Sequence, residues 1–239
     1  MRQQLAQHLF NIQTLPTSIS IKSTPTILHK RKDWFSSVQS PIESPMRHDL
    51  QFPKGKHLLF LDMDETILAR SSHWFFNGDD QQKIKVGSEF IIMRPHFNEF
   101  VTQLRKKYHI VLFTASYPDR LTSILPFLNH EFDMVLDRRD TTPGQSIYFY
   151  KFKLPVFKHL LRFNIDLKQS VLLDDNPNYF LSCQENGIKI KPYFGGPDDM
   201  LPRYCDLLLN LADSPNFQHS IAHLKNDYKD VFEGTRWIF

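Results

Sequence analysis

The sequence is poor in cysteine and contains no long apolar run. Its two cysteines, Cys183 and Cys205, have neither the spacing of a zinc site nor that of a redox pair, so we expect two buried thiols in a reducing compartment. A membrane-spanning helix needs about 20 consecutive apolar residues. No such run occurs, and we expect no membrane span. The hydrophobic fraction of 41% in 239 residues is still enough to bury one sizeable core.

A strong excess of one charge is also missing. The chain has 29 Lys and Arg against 26 Asp and Glu, a formal net charge of +3, so its composition does not call for a polyanionic partner. We see no stacking platform or recognition helix in the pattern, and we expect no direct binding of nucleic acid. The basic excess belongs to residues 1–56, which hold eight basic and three acidic residues.

Residues 1–55 are predicted to form a mostly disordered leader. The segment is rich in Ser, Thr, Gln and Pro, and its prolines interrupt any long helix. Its first acidic residue is Asp33, which is typical of a basic tail and also compatible with an organellar transit peptide. The cluster from His29 to Lys32 could act as a weak nuclear address. We expect an intracellular protein, nuclear or cytoplasmic, and mitochondrial targeting by the leader stays open.

Residues 56–212 show the pattern of a parallel sheet covered by helices, because short apolar runs alternate with segments of helical period. Helical spacing occurs from Phe97 to Leu104 and from Phe157 to Asn164, and a β arm is predicted over Ser146–Phe152. Residues 213–239 are predicted to be a helix and tail packed on this domain. The predicted strands are His57 to Leu61, Ile110 to Phe113, Met134 to Leu136, Val171 to Leu173 and Ile188 to Ile190.

The first predicted strand ends abruptly in carboxylates. Asp62 and Asp64 follow it, and the carboxyl ends of parallel strands line the ligand crevice of such a sheet. One acid could bind a metal and attack phosphorus while the other supplies and removes protons, which would cleave a phosphate ester through an aspartyl-phosphate. A plain polar turn is the alternative for this motif alone. A calcium loop is disfavoured, since it needs Gly and Glu where Ile67 and His73 stand.

Two further predicted strands end in polar side chains. Thr114 and Ser116 follow the second strand, in a turn whose hydroxyl and amide groups can hold phosphate oxygens. Asp174, Asp175 and Asn176 follow the fourth strand and offer the hard oxygen ligands that Mg²⁺ prefers. Like charges that meet in one crevice repel each other. We therefore expect a divalent cation among these acids.

These motifs resemble those of the haloacid dehalogenase superfamily, and within it the phosphatases acting on the RNA polymerase C-terminal domain, including the nuclear LIM interactor-interacting factor-like members. The resemblance covers about Lys56 to Ala212. It implies an α/β, three-layer Rossmann-like fold with a doubly wound, mostly parallel sheet, a small β-hairpin insert and no large cap. The matching motifs are Leu61 to Thr66, Arg94-Pro95-His96 with Phe100, Phe113 to Ser116, and Asp175-Asn176.

The resemblance also implies a role for each matching residue. Asp62 would be the nucleophile, and Asp64 the general acid and base that also offers its backbone carbonyl to the metal. Thr114 would bind the phosphoryl group. The magnesium ligands implied in this way are Asp62, Asp64, Asp175 and Asn176, with Asp174 as a partner outside them.

The family uses a lysine to neutralise the aspartyl-phosphate, and here the usual residues around that lysine are replaced. Lys151 is our first choice, because its separation from Asp175 is close to the one usual in the superfamily. Lys153 directly precedes a predicted helix, and Lys158 fits an alignment backward from Asp166-Leu167. All three lysines remain candidates.

The predicted function is a magnesium-dependent phosphatase acting on phosphoserine or phosphothreonine in a protein or peptide. The insert between Ile67 and Met93 is short, and the open crevice that it leaves suits a flexible phosphopeptide. Two alternatives stay open, a small-metabolite phosphatase and a non-catalytic binding module similar to the mitochondrial import-receptor relatives of this family. We expect a monomer.

Overall fold

The computed structural model describes residues 55–71, 83–129, 132–143 and 156–227. Contacts divide the chain into residues 1–40 and residues 41–239, and every described residue belongs to the second unit. The strands are β1 His57–Leu61, β2 Leu68–Ser71, β3 Lys83–Val86, β4 Glu89–Met93, β5 Tyr108–Phe113, β6 Met134–Leu136, β7 Thr142–Pro143, β8 Val156–Phe157, β9 Ser170–Asp174 and β10 Gly187–Lys189. The α-helices are α1 Phe97–Leu104, α2 Pro118–Leu128, α3 Met200–Ala212 and α4 Phe217–Asp227, and the 3-10 segments are η1 Arg138–Asp140, η2 Leu160–Arg162, η3 Leu167–Gln169 and η4 Pro177–Cys183.

Five strands form a parallel sheet in the order β10-β9-β1-β5-β6. From the central β1 the chain moves outward to β5 and β6, and it then crosses to β9 and β10 on the other side. The connections of the first group pack on one face of the sheet and those of the second group on the other, as expected when all crossovers have the same hand. The sheet is therefore doubly wound, which confirms the predicted Rossmann-like α/β class, and each of the five predicted strands is present with its ends within two residues of the prediction.

The sheet is the middle one of three layers. Successive side chains of a strand point to opposite faces, so Leu59 and Leu61 of β1 pack with the four α-helices, whereas Leu58 and Phe60 pack with η2 and η4. All four side chains are buried. Each contributes about 1.5–3 kcal/mol relative to an exposed side chain. This packing holds β1 in the centre of the sheet.

The insert that follows β1 is a small antiparallel sheet. Its strands have the order β2-β4-β3, and Leu68 pairs with Met93 while Val86 pairs with Glu89. Residues 72–82 lie outside the described residues. The whole insert spans 68–93, in agreement with the prediction that no large cap is present.

One predicted helix is not formed. The apolar period from Phe157 to Asn164 predicted a helix, but the chain forms the short strand β8 and then the 3-10 segment η2. Phe157 pairs with Thr142 of β7, and of two residues expected in the core, Leu160 is buried whereas Leu161 is 46% exposed. Helices shorter than about 12 residues are marginal on their own. Strand pairing therefore decided the conformation of this segment.

The helix α4 packs on the amino end of the sheet. The ring of Phe217 stacks on His57 of β1 with the centroids 4.3 Å apart, and Ile221 is buried in the same core. The other predicted segments, 1–54, Ser146–Phe152 and 228–239, lie outside the described residues and stay predictions. Within the described ranges, no helix combines the length and the apolar character that crossing a membrane requires.

Candidate active site

Three carboxylates meet at the carboxyl ends of two neighbouring strands. Asp62 follows β1, Asp174 ends β9, and the pairing of Leu61 with Leu173 brings the two strand ends side by side. Asp62, Asp174 and Asp175 each offer an oxygen, and these three oxygens lie within 4.8 Å of one another. Asp62 and Asp174 are buried and Asp175 is half-buried. The expected convergence of acids from distant parts of the chain is present.

Lys158 lies among these carboxylates. It directly follows β8, its ammonium contacts Asp62, and it donates to Asp174 over 2.7 Å. The side chain is fully buried, with the ammonium 5.2 Å from the centre of the Tyr179 ring. Burial alone would lower the pKa of Lys158, but the carboxylates of Asp174 and Asp62 outweigh burial and raise this pKa above its usual value. The lysine is therefore held as a cation inside the site.

Only one of the three candidate lysines is within the described residues. Lys151 and Lys153 lie outside them, so our first choice, Lys151, is not placed by the structure. Lys158 is the third candidate, and its ammonium contacts the carboxylates of Asp62 and Asp174. The sequence signal for it is the alignment backward from Asp166-Leu167.

One ammonium does not balance three carboxylates. Burial, followed by the charge of Asp174, raises the pKa of Asp62 well above its usual value. Burial and the carboxylates of Asp174 and Glu65 raise the pKa of Asp175 to about 7. The cluster of three acids and Lys158 carries two formal negative charges, which a divalent cation would balance. The donor set consists of carboxylate oxygens, and it fits Mg²⁺.

Asn176 has another use in this structure. Its side-chain oxygen accepts hydrogen bonds from the backbone and side-chain nitrogens of Asn178, at 3.2 and 3.0 Å, and so caps η4. Its backbone nitrogen donates to Asp174 over 2.8 Å. Asp174, for which the sequence predicts a place outside the metal ligands, is buried, whereas Asn176 is half-buried. The role of Asn176 as a ligand stays a prediction.

Thr66 joins two of the acidic segments. Its hydroxyl donates to Asp62 over 2.8 Å and accepts from the backbone nitrogen of Asp175 over 3.1 Å. The turn that carries it requires a positive φ of 58° at Glu65, which is uncommon for a residue other than glycine. Sequence reasoning gave Thr66 no role of its own, although it belongs to the motif that was recognised.

Asp64 lies beside this cluster and makes different contacts. Its carboxylate accepts hydrogen bonds from Arg120, at 2.7 and 2.9 Å, and from Ser116 at 2.7 Å. Thr114 follows β5, the neighbour of β1, and its hydroxyl accepts from the Ser116 backbone over 3.1 Å. Thr114 is buried and can still donate its own proton. Arg120 was not singled out from the sequence, because an arginine on a helix surface gives no signal of its partner.

Arg94 binds the backbone of the turn after β1. The buried guanidinium donates to both carboxylate oxygens of Asp198 and to the backbone oxygens of Thr66 and Lys191, all within 3.0 Å. These contacts join the end of β4, the turn after β1 and the loop after β10. Arg94 therefore has a structural role and does not contact the acids of the site.

The doubly wound sheet with acids at the carboxyl ends of β1 and β9 agrees with the α/β domain of the haloacid dehalogenase type that the resemblance implies. The family model of NLI interacting factor-like phosphatases matches residues 57–218. The chain therefore belongs to this family.

Several known proteins are similar to this chain. It is 29% identical over 170 residues to a probable C-terminal domain small phosphatase of Dictyostelium discoideum, with 64% of this chain and 51% of that protein covered. It is 27% identical over 154 residues to the human carboxy-terminal domain RNA polymerase II polypeptide A small phosphatase 2, with 62% and 52% covered. The chain thus spans about half the length of these curated relatives. A solved structure of the fission yeast RNA polymerase II CTD phosphatase Fcp1 bound to beryllium fluoride has 17% identity and a TM-score of 0.45, with 73% of this chain and 56% of that one covered.

Proposed function

We propose that this protein is a magnesium-dependent phosphatase that hydrolyses phosphoserine and phosphothreonine in proteins through an aspartyl-phosphate on Asp62. One observation carries the proposal: the buried carboxylate of Asp62 lies between the ammonium of Lys158 and the hydroxyl of Thr66, with oxygens of Asp174 and Asp175 within 4.8 Å. A carboxylate held in this way can act as a nucleophile.

In the first half-reaction an oxygen of Asp62 attacks phosphorus. A bond forms between this oxygen and phosphorus, and the bond from phosphorus to the serine or threonine oxygen breaks. Asp64, which enters this step in its protonated form, gives its proton to the leaving oxygen and becomes a carboxylate, so that an alcohol is released. The hydroxyl of Thr114, which follows the neighbouring strand β5, would donate a hydrogen bond to a phosphoryl oxygen.

In the second half-reaction water attacks the phosphorus of the aspartyl-phosphate. The water gives a proton to Asp64, which is thereby returned to its protonated form. The bond between phosphorus and the Asp62 oxygen breaks, and inorganic phosphate and the free carboxylate are formed. The net reaction consumes one water and releases one alcohol and one phosphate.

Lys158 supplies positive charge where negative charge accumulates. It contacts Asp62 and Asp174 before the reaction, and it would donate to the phosphoryl oxygens once Asp62 carries them. Magnesium, bound by Asp62, Asp174 and Asp175, would neutralise further charge on the phosphoryl group. The backbone carbonyl of Asp64 and the side chain of Asn176 remain candidates to complete its ligands.

The substrate class is supported by the relatives and by the small insert. The human relative bears the name of a phosphatase of the RNA polymerase II C-terminal domain. The insert spans only 68–93, which is short for a domain that would enclose a small metabolite. A panel of phosphoserine peptides and small phosphorylated metabolites, compared by kcat/KM, separates these two substrate classes.

The activity itself is tested with p-nitrophenyl phosphate. The parent should turn over with magnesium and stop when EDTA is added, and Asp62→Asn should be inactive under both conditions. Asp206→Asn, which removes an exposed carboxylate from α3, serves as the matched control and should keep the parent rate. Equal rates in the parent and in Asp62→Asn would remove the nucleophile assignment. Phosphopeptide binding by the full chain without any turnover would favour the binding-module alternative.

A further inference from the structure

Arg120 is bound on two sides by carboxylates. Its terminal nitrogens donate to the two oxygens of Asp64, and its Nε donates to Glu89 over 2.8 Å. One of the terminal nitrogens also donates to the Ser116 hydroxyl over 2.6 Å, and this hydroxyl donates to Asp64. Three donated hydrogen bonds therefore hold the carboxylate of Asp64 in one orientation.

The guanidinium joins three separate parts of the chain. Arg120 lies in the first turn of α2, Asp64 in the turn after β1, and Glu89 at the start of β4 in the insert. The side chains of Arg120 and Asp64 are 19% and 16% exposed, so little water competes for these contacts. The orientation of one reacting group thus depends on both the helix and the insert.

A carboxylate needs such a partner if its direction matters. The terminal torsion of aspartate is broad, so the side chain by itself does not fix the plane of its two oxygens. A guanidinium that binds both oxygens fixes this plane, which a lysine ammonium does not do. We propose that Arg120 is a positioning residue that aims Asp64 at the leaving oxygen, and that Glu89 orients Arg120. This inference rests on the proposed function, in which Asp64 protonates the leaving group.

The donor count favours positioning over direct capture of a substrate anion. A guanidinium has five N–H donors. The hydrogen bonds to Asp64, Ser116 and Glu89 engage four of them. One donor remains, which is too few for the bidentate binding by which arginine recognises a phosphate or carboxylate.

Two aryl phosphates of similar size, which differ in their leaving group, test the proposal. Phenyl phosphate has a poor leaving group that needs a proton, whereas p-nitrophenyl phosphate has a good one that leaves as an anion. For Arg120→Ala and Arg120→Lys we expect kcat/KM to fall about 100-fold on phenyl phosphate. The loss on p-nitrophenyl phosphate should be at least about tenfold smaller, because its departure hardly depends on the proton from Asp64. Glu89→Gln should shift the ratio of the two rates in the same direction by a smaller factor.

A general loss of structure or of substrate binding would lower both rates alike, and that result would overturn the positioning role. Full activity of Arg120→Lys on phenyl phosphate would also overturn it, because charge alone would then suffice. Arg203→Ala is the matched control: this exposed arginine of α3 pairs with Asp199, the residue just before the helix, and its loss should leave both rates unchanged.

A second readout does not depend on activity. In ¹⁵N-labelled parent protein the Nε–H signal of Arg120, assigned by its loss in Arg120→Lys, should exchange slowly with water. Asp64→Asn and Glu89→Gln should each shift this signal and speed its exchange. If the parent fails to hydrolyse either ester with magnesium, the proposed function fails, and this signal still decides whether Arg120 holds Asp64. An Arg120 signal that neither substitution moves would overturn the inference.

Discussion

The ammonium of Lys158 contacts the carboxylate of Asp62 although the two residues are 96 positions apart in the chain. The same ammonium donates to Asp174, 16 positions further on. Both acids lie at the carboxyl ends of adjacent strands, and Lys158, which directly follows the short strand β8, lies between them. This one cation therefore links three segments of the chain. The positions of the proposed nucleophile Asp62 and of Lys158 each depend on the other.

Replacing Lys158 with methionine should remove activity and loosen the fold. We expect kcat/KM on p-nitrophenyl phosphate to fall at least about 100-fold, because a donor to the reacting group is lost. Without magnesium the free energy of unfolding should fall by about 3–5 kcal/mol, since buried carboxylates lose their partner. Magnesium should recover part of this stability, and thermal unfolding with and without the ion measures it.

Lys106→Met is the control, since this exposed lysine donates to Gln103 on the protein surface. Lys151→Met and Lys153→Met test the two other candidates, and both should stay active. An active Lys158→Met together with an inactive Lys151→Met would reassign the phosphate-neutralising role.

Asp174 and Asn176 should differ in their effect on metal binding. Asp174→Asn should weaken magnesium binding at least about tenfold, because a buried charged ligand of the cluster is neutralised. Asn176→Ala should have a smaller effect, since its oxygen accepts from Asn178 in this structure. Isothermal titration with Mg²⁺ compares the two variants. A stronger effect of Asn176→Ala would show that its side chain turns toward the ion.

Thr66→Val should lower kcat without unfolding the protein. The substitution keeps the shape of the side chain but removes the hydrogen bond to Asp62 and the acceptor for the backbone of Asp175. We expect a loss of about 1–3 kcal/mol in the free energy of unfolding, because buried polar partners are left unpaired. Thr66→Ser keeps the hydroxyl and should retain both the kcat and the free energy of unfolding of the parent. The control is Thr102→Val, on the exposed face of α1, and equal losses at both positions would argue against a role for Thr66 in the site.

Asp133 should make stability depend on pH in the acid range. Partial burial opposes its charge, but hydrogen bonds from His109 and from the backbone of Ile110 lower the pKa of Asp133 below its usual value. A lowered pKa in the folded state means that the carboxylate stabilises the fold above its unfolded pKa of about 3.9 and that this contribution is lost as the pH falls through the folded pKa.

Asp133→Asn should therefore be less stable than the parent at pH 7, by about 1 kcal/mol for this partly exposed group, and the difference should shrink as the pH falls below the unfolded pKa of about 3.9. Urea unfolding across this range measures both quantities. Asp206→Asn, which changes an exposed carboxylate, is the control for the substitution itself. A stability difference that stays constant from pH 7 to pH 3 would contradict the assignment.

Local pattern was enough to predict the sheet. The strands β1, β5, β6 and β9 contain continuous apolar runs, and such runs are typical of parallel strands buried on both faces. The edge strand β10 is shorter and includes Lys189. The prediction of a helix from Phe157 to Asn164 was wrong, because its local pattern is weak. Its period is short, and the pairing with β7 outweighed it. Short segments carry too little local preference to resist a tertiary contact.

The residue order by itself determined that acids end β1 and β9 and that a hydroxyl follows β5, since each polar residue stands directly after a buried run. These positions alone were enough to predict the class of site and a divalent cation bound in it. Only the tertiary structure decided which partner each acid has: Lys158 for Asp62 and Asp174, and Arg120 for Asp64. A long basic side chain on a separate segment has no periodicity that indicates its target, because its contact depends on how the layers pack and not on its neighbours in the chain.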